Sequence, residues 1–390
     1  MAMSKMRRSI IVGIGGTGAL TVVNIKRKLY QFYNDIPFCV KFLVLDTDTK
    51  LPQGLRVSVK GGEEWRTAEV DRNEFMYLPV SNPQFLIKNS QHIREWWPEE
   101  LINIGAISDG AGQFRARGRL AFHAYADDIG KAFSGLVEEV TDQKLGEQMR
   151  DKQKLEIVGG LGVNVYLIGS VAGGTGSGSF IDAGFLFKRL LPGTENKITA
   201  FLFMPWIFEG LAATHRIGIN AYAALKELDY YMNMDYMRQQ PLLIFGDQEF
   251  NADRPPFDIV NLIEGRNESG LHVKGKGFAG VKNLCDIVGT GIALNMGTVG
   301  QGAESALDNL DSYIRSQDSR DWDGKKPSYS SFGVSSIVYP IEKHYNKFYS
   351  YYAFCLIDKL LESVKRKEDI IDDNVVENGV DKFCTDKRLD

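Results

Sequence analysis

The sequence predicts an α/β protein built on a doubly wound, mostly parallel sheet. Three observations lead there. Short, continuously apolar runs such as Ile10-Ile11-Val12 mark strands that are covered on both faces. Two of these runs pass through a glycine-rich turn into apolar residues at helical spacing: "RSIIVGIGGTGALTVVNIKRKLY" and "VNVYLIGSVAGGTGSGSFIDAGFLFKRLL". Strand and helix patterns then alternate along the chain, and parallel strands need such crossovers.

The first strand, around Ile10–Val12, leads into a helix whose apolar face carries Val22, Ile25 and Leu29, with Lys26, Arg27 and Lys28 including its solvated side. "VKFLVLDTDTK" is a second buried strand ending in two aspartates. Residues 50–100 have mixed patterning, and "REWWPEE" reads as a packed surface turn. "DGAGQFRARGRLAFHAYADDIG" is a polar glycine loop feeding a helix. After the second glycine-rich unit, Phe180, Ala183, Phe187 and Leu190 form a helical stripe. "NKITAFLFMPW", "LLIF" and "FDIVNLIEG" read as strands, and "EGLAATHRIGINAYAALKELDYYM" as a helix. Residues 281–316 have a helical pattern interrupted by Gly289, Gly291, Gly297, Gly300 and Gly302, so breaks are expected there. "YSSFGVSSIVYP" is a late strand, "HYNKFYSYYAFCLIDKLL" an amphipathic helix, and the end is a charged tail. The expected domains are a larger α/β unit carrying the glycine-rich turns at 1–280, a central helical segment at 281–316, and the start of a partial second α/β domain with the tail at 317–390.

Composition narrows the function classes. The chain has 390 residues, enough for two to three domains, and its 44% hydrophobic and 25% charged content is that of a globular protein. A net charge of -4 argues against a broad basic face, so no nucleic-acid partner is expected. Cys39, Cys285, Cys355 and Cys384 are far apart and form no C-x-x-C pair. Neither a disulfide framework nor a thiolate metal site is indicated, and a reduced, cytoplasmic setting is expected. No apolar run approaches the length of a membrane span, and the start does not read as a secretory signal.

The glycine loops carry the chemistry. Gly13-Ile14-Gly15-Gly16-Thr17-Gly18 satisfies G-x-G-x-x-G between a strand and a helix, and Asp46 ends the next strand where a ribose-binding acid would lie. Alone, this pattern would favour an NAD-dependent oxidoreductase. "AGGTGSGS" is a second loop in the same context, and the dinucleotide reading has no use for it. A mononucleotide with three phosphates does, because successive glycine N–H groups form a nest for anions. Thr175, Ser177 and Ser179 add hydroxyl donors, and Asp109-Gly110-Ala111-Gly112-Gln113 offers a third loop. Arg115, Arg117 and Arg119 stand as phosphate clamps or as a solvated face. There is no G-x-x-x-x-G-K-[ST], so this is not a P-loop site.

"AGGTGSGS" resembles the G-G-G-T-G-[ST]-G signature of the tubulin and FtsZ superfamily, with Ala172 at the first glycine. Further segments resemble that family in its order: "GIGGTGALTVVN", "LDTDTK" with Asp46 in place of an asparagine, "DGAGQFRARGR", "FMPWIFEG" and "KNLCDIVGTGIALN". The likeness covers roughly residues 8–360 and is nearest to divergent bacterial tubulin-like proteins. It implies GTP/GDP and Mg²⁺ as ligands. Gly13, Gly15, Gly16, Thr17 and Gly18 would hold the α- and β-phosphates. Gly173, Gly174, Thr175, Gly176, Ser177 and Gly178 would wrap them from the other side, and Gly110, Ala111, Gly112 and Gln113 would meet the γ-phosphate. Asp48 would hold a Mg²⁺ water, with no direct protein ligand to the ion. Glu209 would bind the ribose, and Asn267 and Asp286 the base.

The resemblance also implies head-to-tail self-association, with hydrolysis completed by an N-x-D-x-x-[DE] loop of the next subunit. Here Asn309-Leu310-Asp311 gives the first half, but the last position is Ile314; Asp318, Asp321 and Asp323 follow without the asparagine spacing. Asp311 and Asp318 are therefore the candidate water-positioning acids. The alternative is a nucleotide-binding scaffold of the same fold that does not hydrolyse. For that alternative, the divergent relatives suggest membrane remodelling or defence, with a membrane-associated or other protein partner.

Overall fold

Strands covered by helices on both faces of a sheet need apolar residues on both faces, and this requirement organises the protein. The structure is a computed structural model. It describes residues 4–101, 104–158, 162–191, 193, 195–211, 215–234, 240–246, 248–265, 277–297, 329–331 and 341–368. The strands are β1 Ser4–Arg7, β2 Ser9–Ile14, β3 Val40–Asp46, β4 Leu55–Val59, β5 Glu64–Ala68, β6 Phe75–Tyr77, β7 Leu155–Val158, β8 Asn164–Ser170, β9 Lys197–Phe203, β10 Leu242–Phe245, β11 Gln248–Asn251, β12 Ile259–Ile263 and β13 Tyr329–Ser331. The helices are α1 Gly15–Tyr33, α2 Pro83–Asn89, α3 Gln91–Trp96, α4 Arg115–Ala124, α5 Ala126–Thr141, α6 Leu145–Gln148, α7 Thr175–Leu190, α8 Ile217–Met232, α9 Gly277–Met296 and α10 Ile341–Glu368.

Seven strands form one sheet in the order β13-β12-β9-β8-β2-β3-β6, with every adjacent pair parallel. From β2 the chain winds to β3 and β6 on one side; β8, β9, β12 and β13 then extend the sheet on the other. The order therefore reverses between β2 and β8, the position where a doubly wound sheet opens a crevice at its carboxyl edge. Both glycine loops leave from these two strands.

Alternation along β2 sends Ile10, Val12 and Ile14 into one core layer and Ile11 into the other. The first layer lies under α4, α5, α7 and α8, where Phe133 and Phe187 stack at 4.2 Å. The second lies under α1 and α9, with Val22, Ile25 and Leu29 facing Val288 and Ile292. One compact unit spans residues 1–334 and a second spans 335–390. In the second, α10 carries exposed Tyr345, Phe348, Tyr349, Tyr352 and Leu360. No described helix is long and apolar enough to cross a membrane.

The break expected in the 281–316 segment falls at Gly297, which forms an isolated bridge with Met6; Gly289 and Gly291 do not interrupt the helix, which runs to Met296. A Cβ on Gly289 would lie 3.1 Å from the Ile25 backbone nitrogen, so this glycine lets α9 press against α1. The rest of that segment, from 298, lies outside the described residues. Lys26 is not on a solvated side: it is buried, and its Nζ meets Asp71 Oδ2 at 2.9 Å and Glu74 Oε2 at 2.6 Å. The mixed stretch between 50 and 100 contains the β4–β5 hairpin, β6 and the short helices α2 and α3. Only Tyr329–Ser331 of the late strand is described.

Candidate nucleotide-phosphate site

The first loop begins as β2 ends. Ile14 is extended at φ -114 and caps α1 with no side-chain hydrogen bond, and Gly15 comes next at φ +73. The second loop leads from β8 into α7, again with no side-chain cap at Gly174. Two helix N-termini thus present uncapped N–H groups and their positive dipole ends at one point of the sheet. They abut: a Cβ on Gly15 would be 3.5 Å from the Gly176 nitrogen.

The glycines divide into two kinds. A Cβ on Gly13 would lie 2.8 Å from the Gly18 carbonyl carbon, and one on Gly18 would lie 2.6 Å from the Ile168 oxygen. Gly174 would strike Ala111 at 2.7 Å, Gly176 would approach Ser170 at 3.0 Å, and Gly178 would overlap the Arg115 carbonyl. These five hold the loops against each other. Gly16 and Gly173 instead have nothing within 4 Å of an added Cβ. They face open space where a ligand would lie.

The third loop completes the cluster. Gly110 at φ +88, Gly112 at φ +60 and Gln113 at φ +60 are all left-handed, and the Gly110 nitrogen donates to the Thr47 oxygen at 2.9 Å. Ala111 is buried beneath Gly174, and half-buried Asp48 stands over Gly110. Asn220 of α8 links the loops: its Nδ2 donates to Gln113 O at 2.9 Å, Ala172 O at 3.0 Å and Gly173 O at 3.3 Å. Sequence reasoning missed it. Its signal was an asparagine four residues before Ala224 and eight before Leu228, on the buried stripe of α8.

The hydroxyls expected to donate to phosphate are engaged within the protein. Ser177 Oγ accepts from Arg115 Nε at 2.9 Å, and Ser179 Oγ donates to Thr175 O at 2.6 Å. Thr175 Oγ1 lies 2.7 Å from Thr47 Oγ1 and 3.3 Å from Asp46 Oδ1. The arginines also have internal partners. Arg115 forks onto Glu227 with Nη1 at 2.9 Å, Arg117 Nη2 donates to Ala106 O at 3.1 Å, and Arg119 pairs with Asp182 at 2.8 Å.

Asp46 is buried at the floor. Burial pushes its carboxyl up to about 6, partly offset by hydrogen bonds from the Asp48 and Thr47 nitrogens and from Thr175. A carboxyl raised by folding holds its proton more tightly in the fold. Its contribution is therefore fully present below the unfolded value and is lost as pH rises to about 6. The loss is on the order of 3 kcal/mol. Asp46→Asn should remove that decline. The variant-minus-parent stability, read from denaturant melts, should climb between pH 4 and 6 and stay level above; a flat difference would refute the assignment.

Glu209 lies just after the short turn Pro205–Phe208 at the sheet's carboxyl edge and is exposed. Asp286 sits on α9 next to Cys285, whose Sγ is 3.9 Å from Thr17 O of the first loop. Its carboxylate pairs with Arg27, and with Lys28 at 3.3 Å. Asn267, Asp311 and Asp318 lie outside the described residues. Among the described residues no three His, Cys, Asp or Glu side chains group to hold a metal.

A doubly wound parallel sheet with two adjacent glycine loops at its switch point, braced by a third, is the class of fold that the chain adopts. The profile of the family described as "Tubulin like" matches residues 10–354, and the chain belongs to that family. No curated protein matches it. Its fold is similar to CetZ2 from Haloferax volcanii, solved as a GTPγS-bound protofilament, at 12% identity and TM-score 0.43; the match covers 78% of this chain and 63% of that one. It is also similar to the empty FtsZ dimer of M. jannaschii, at 15% identity and TM-score 0.39 over 76% and 57%. TubZ from Bacillus thuringiensis serovar israelensis, a GTPγS-form protofilament, matches at 10% identity and TM-score 0.38 over 79% and 57%. The match spans between 57% and 63% of the length of these relatives.

Proposed function

We propose that the chain is a cytoplasmic, tubulin-like cytoskeletal protein that binds GTP or GDP with Mg²⁺ and associates head to tail. The supporting observation is the open space over Gly16 and Gly173, between two uncapped helix N-termini. The phosphates would lie there, with the third loop at the γ end. A divalent ion would take its oxygens from phosphate and water, with Asp48 holding one of the waters. Glu209 would bind the ribose, and Asn267 and Asp286 the guanine. Asp311 and Asp318 would orient the attacking water in the neighbouring subunit's site, so hydrolysis would follow assembly.

A second reading, a scaffold that binds nucleotide without hydrolysing it, is favoured by one observation: Ile314 stands where the water-positioning loop calls for an acid. Calorimetric titration with GTP, ATP and NAD in the presence of Mg²⁺ tests the binding claim. GTP-selective binding is the expected result. Silence with GTP would refute it, and binding of NAD would restore the dinucleotide reading. Phosphate release that rises more than linearly with protein concentration would separate the two tubulin-like readings.

Asp286→Ala should weaken GTP far more than free triphosphate. The ion pairs it removes are partly exposed, so the cost in stability should stay below about 1 kcal/mol. Equal weakening of the two ligands would show that Asp286 does not read the base.

A further inference from the structure

Away from the glycine loops, α3, α4, α7, α8 and β10 enclose a cavity of about 230 Å³ that opens to solvent. Its wall holds two buried donor-type nitrogens without a hydrogen-bond partner, Trp96 Nε1 and His123 Nε2. His123 is 8% exposed. Its Nε2 lies 3.4 Å from Asp182 Oδ2, a charge contact without hydrogen-bond geometry. Asp182 is already engaged: Arg119 Nε and Nη2 donate to its two oxygens at 2.8 and 3.3 Å. Burial opposes its charge, yet Arg119 and His123 hold its carboxyl well below the usual range. The floor is therefore a neutralised pair, not a free negative charge. The Arg119 guanidinium also lies 4.6 Å from the Trp96 ring centre, which fixes the indole beside it.

Buried N–H groups are rarely left unpaired in a folded protein, and two on one cavity wall require an acceptor. We propose that this cavity is a second binding site, for the carboxylate of a small molecule. Trp96 and His123 would donate to its oxygens. Exposed Glu95 at the rim disfavours a doubly charged ligand, so carboxylate should be preferred to phosphate. The cavity's size suits a small organic acid. This reading does not depend on nucleotide binding.

The test uses the full chain with ¹⁵N-labelled tryptophan, whose indole N–H signals number five at most, one per tryptophan. Trp96→Phe assigns the signal of interest. Acetate is titrated in, with inorganic phosphate and chloride at matched ionic strength alongside. The expected result is a saturable shift of the Trp96 signal with acetate, with half-saturation in the millimolar range, on the order of 1–10 mM. Phosphate should be weaker and chloride without effect. His123→Phe, which keeps a ring and loses the nitrogens, should weaken acetate about tenfold or more while the other indole signals hold their positions. If His123→Phe disturbs those signals, calorimetry of acetate with Trp96→Phe replaces it and should show the same loss. A linear shift shared by all three anions, tighter binding of phosphate, or undiminished acetate affinity in the variants would each overturn the proposal.

Discussion

Gly173→Leu is expected to fold like the parent and to lose GTP by a factor of about 100 or more, which is roughly 2.7 kcal/mol of binding. Gly173 has nothing within 4 Å of an added Cβ, and its φ is not left-handed. The first carbon of a side chain there meets no protein atom, and the larger leucine is expected to occupy the space a phosphate would need. Thermal melting and GTP titration on the same preparation check both halves. Gly16→Leu, on the first loop, should behave alike. An unchanged affinity in both variants would place the ligand elsewhere. Gly174 would be a poorer choice for this experiment. Its substitution would strike Ala111 of the third loop and confound lost binding with a displaced loop.

Gly178→Ala is expected to have the opposite profile: a large loss of stability from a single methyl. In a solvated helix this change would stabilise by up to about 1 kcal/mol. Here the methyl would overlap the Arg115 carbonyl and stand 2.9 Å from the Arg119 nitrogen, both backbone atoms of α4. Backbone cannot rotate aside as a side chain can. The helices would have to separate at a cost of about 3 kcal/mol or more, the upper range for overpacking. Melting temperature should fall by roughly 5 °C or more. A rise in melting temperature would mean that α4 and α7 do not touch in this way.

The strand–loop–helix units were readable in the sequence because local features determine them. Ile10-Ile11-Val12 and "VYLI" are buried on both faces, and a glycine-rich turn closes each of these strands. The clustering of three loops at one edge was also legible, since parallel strands bring all their carboxyl ends together. What could not be read was which glycine faces the ligand and which faces the protein. That depends on neighbours distant in sequence: Gly118 lies against Gly174, and Gly178 against Arg115. The same holds for Ser177, whose hydroxyl is committed to an arginine 62 positions away. Lys26 reads as solvated by type and is buried because Asp71 and Glu74 come from another segment. The helical segment after 280 reads as interrupted because glycine is a poor helix former. In α9 the close approach of α1 repays that weakness.

The contact between α4 and α7 has a mechanical side. Where two helices touch through side chains, a small push is absorbed by rotamers. Gly118 and Gly178 remove that cushion, so backbone rests on backbone. The third loop runs directly into α4, and the second directly into α7. If the third loop meets a γ-phosphate as proposed, a change there would be passed on to α4. It would move α4 as a rod about 15 Å long, and the displacement would emerge at Ala124, the other end of that helix.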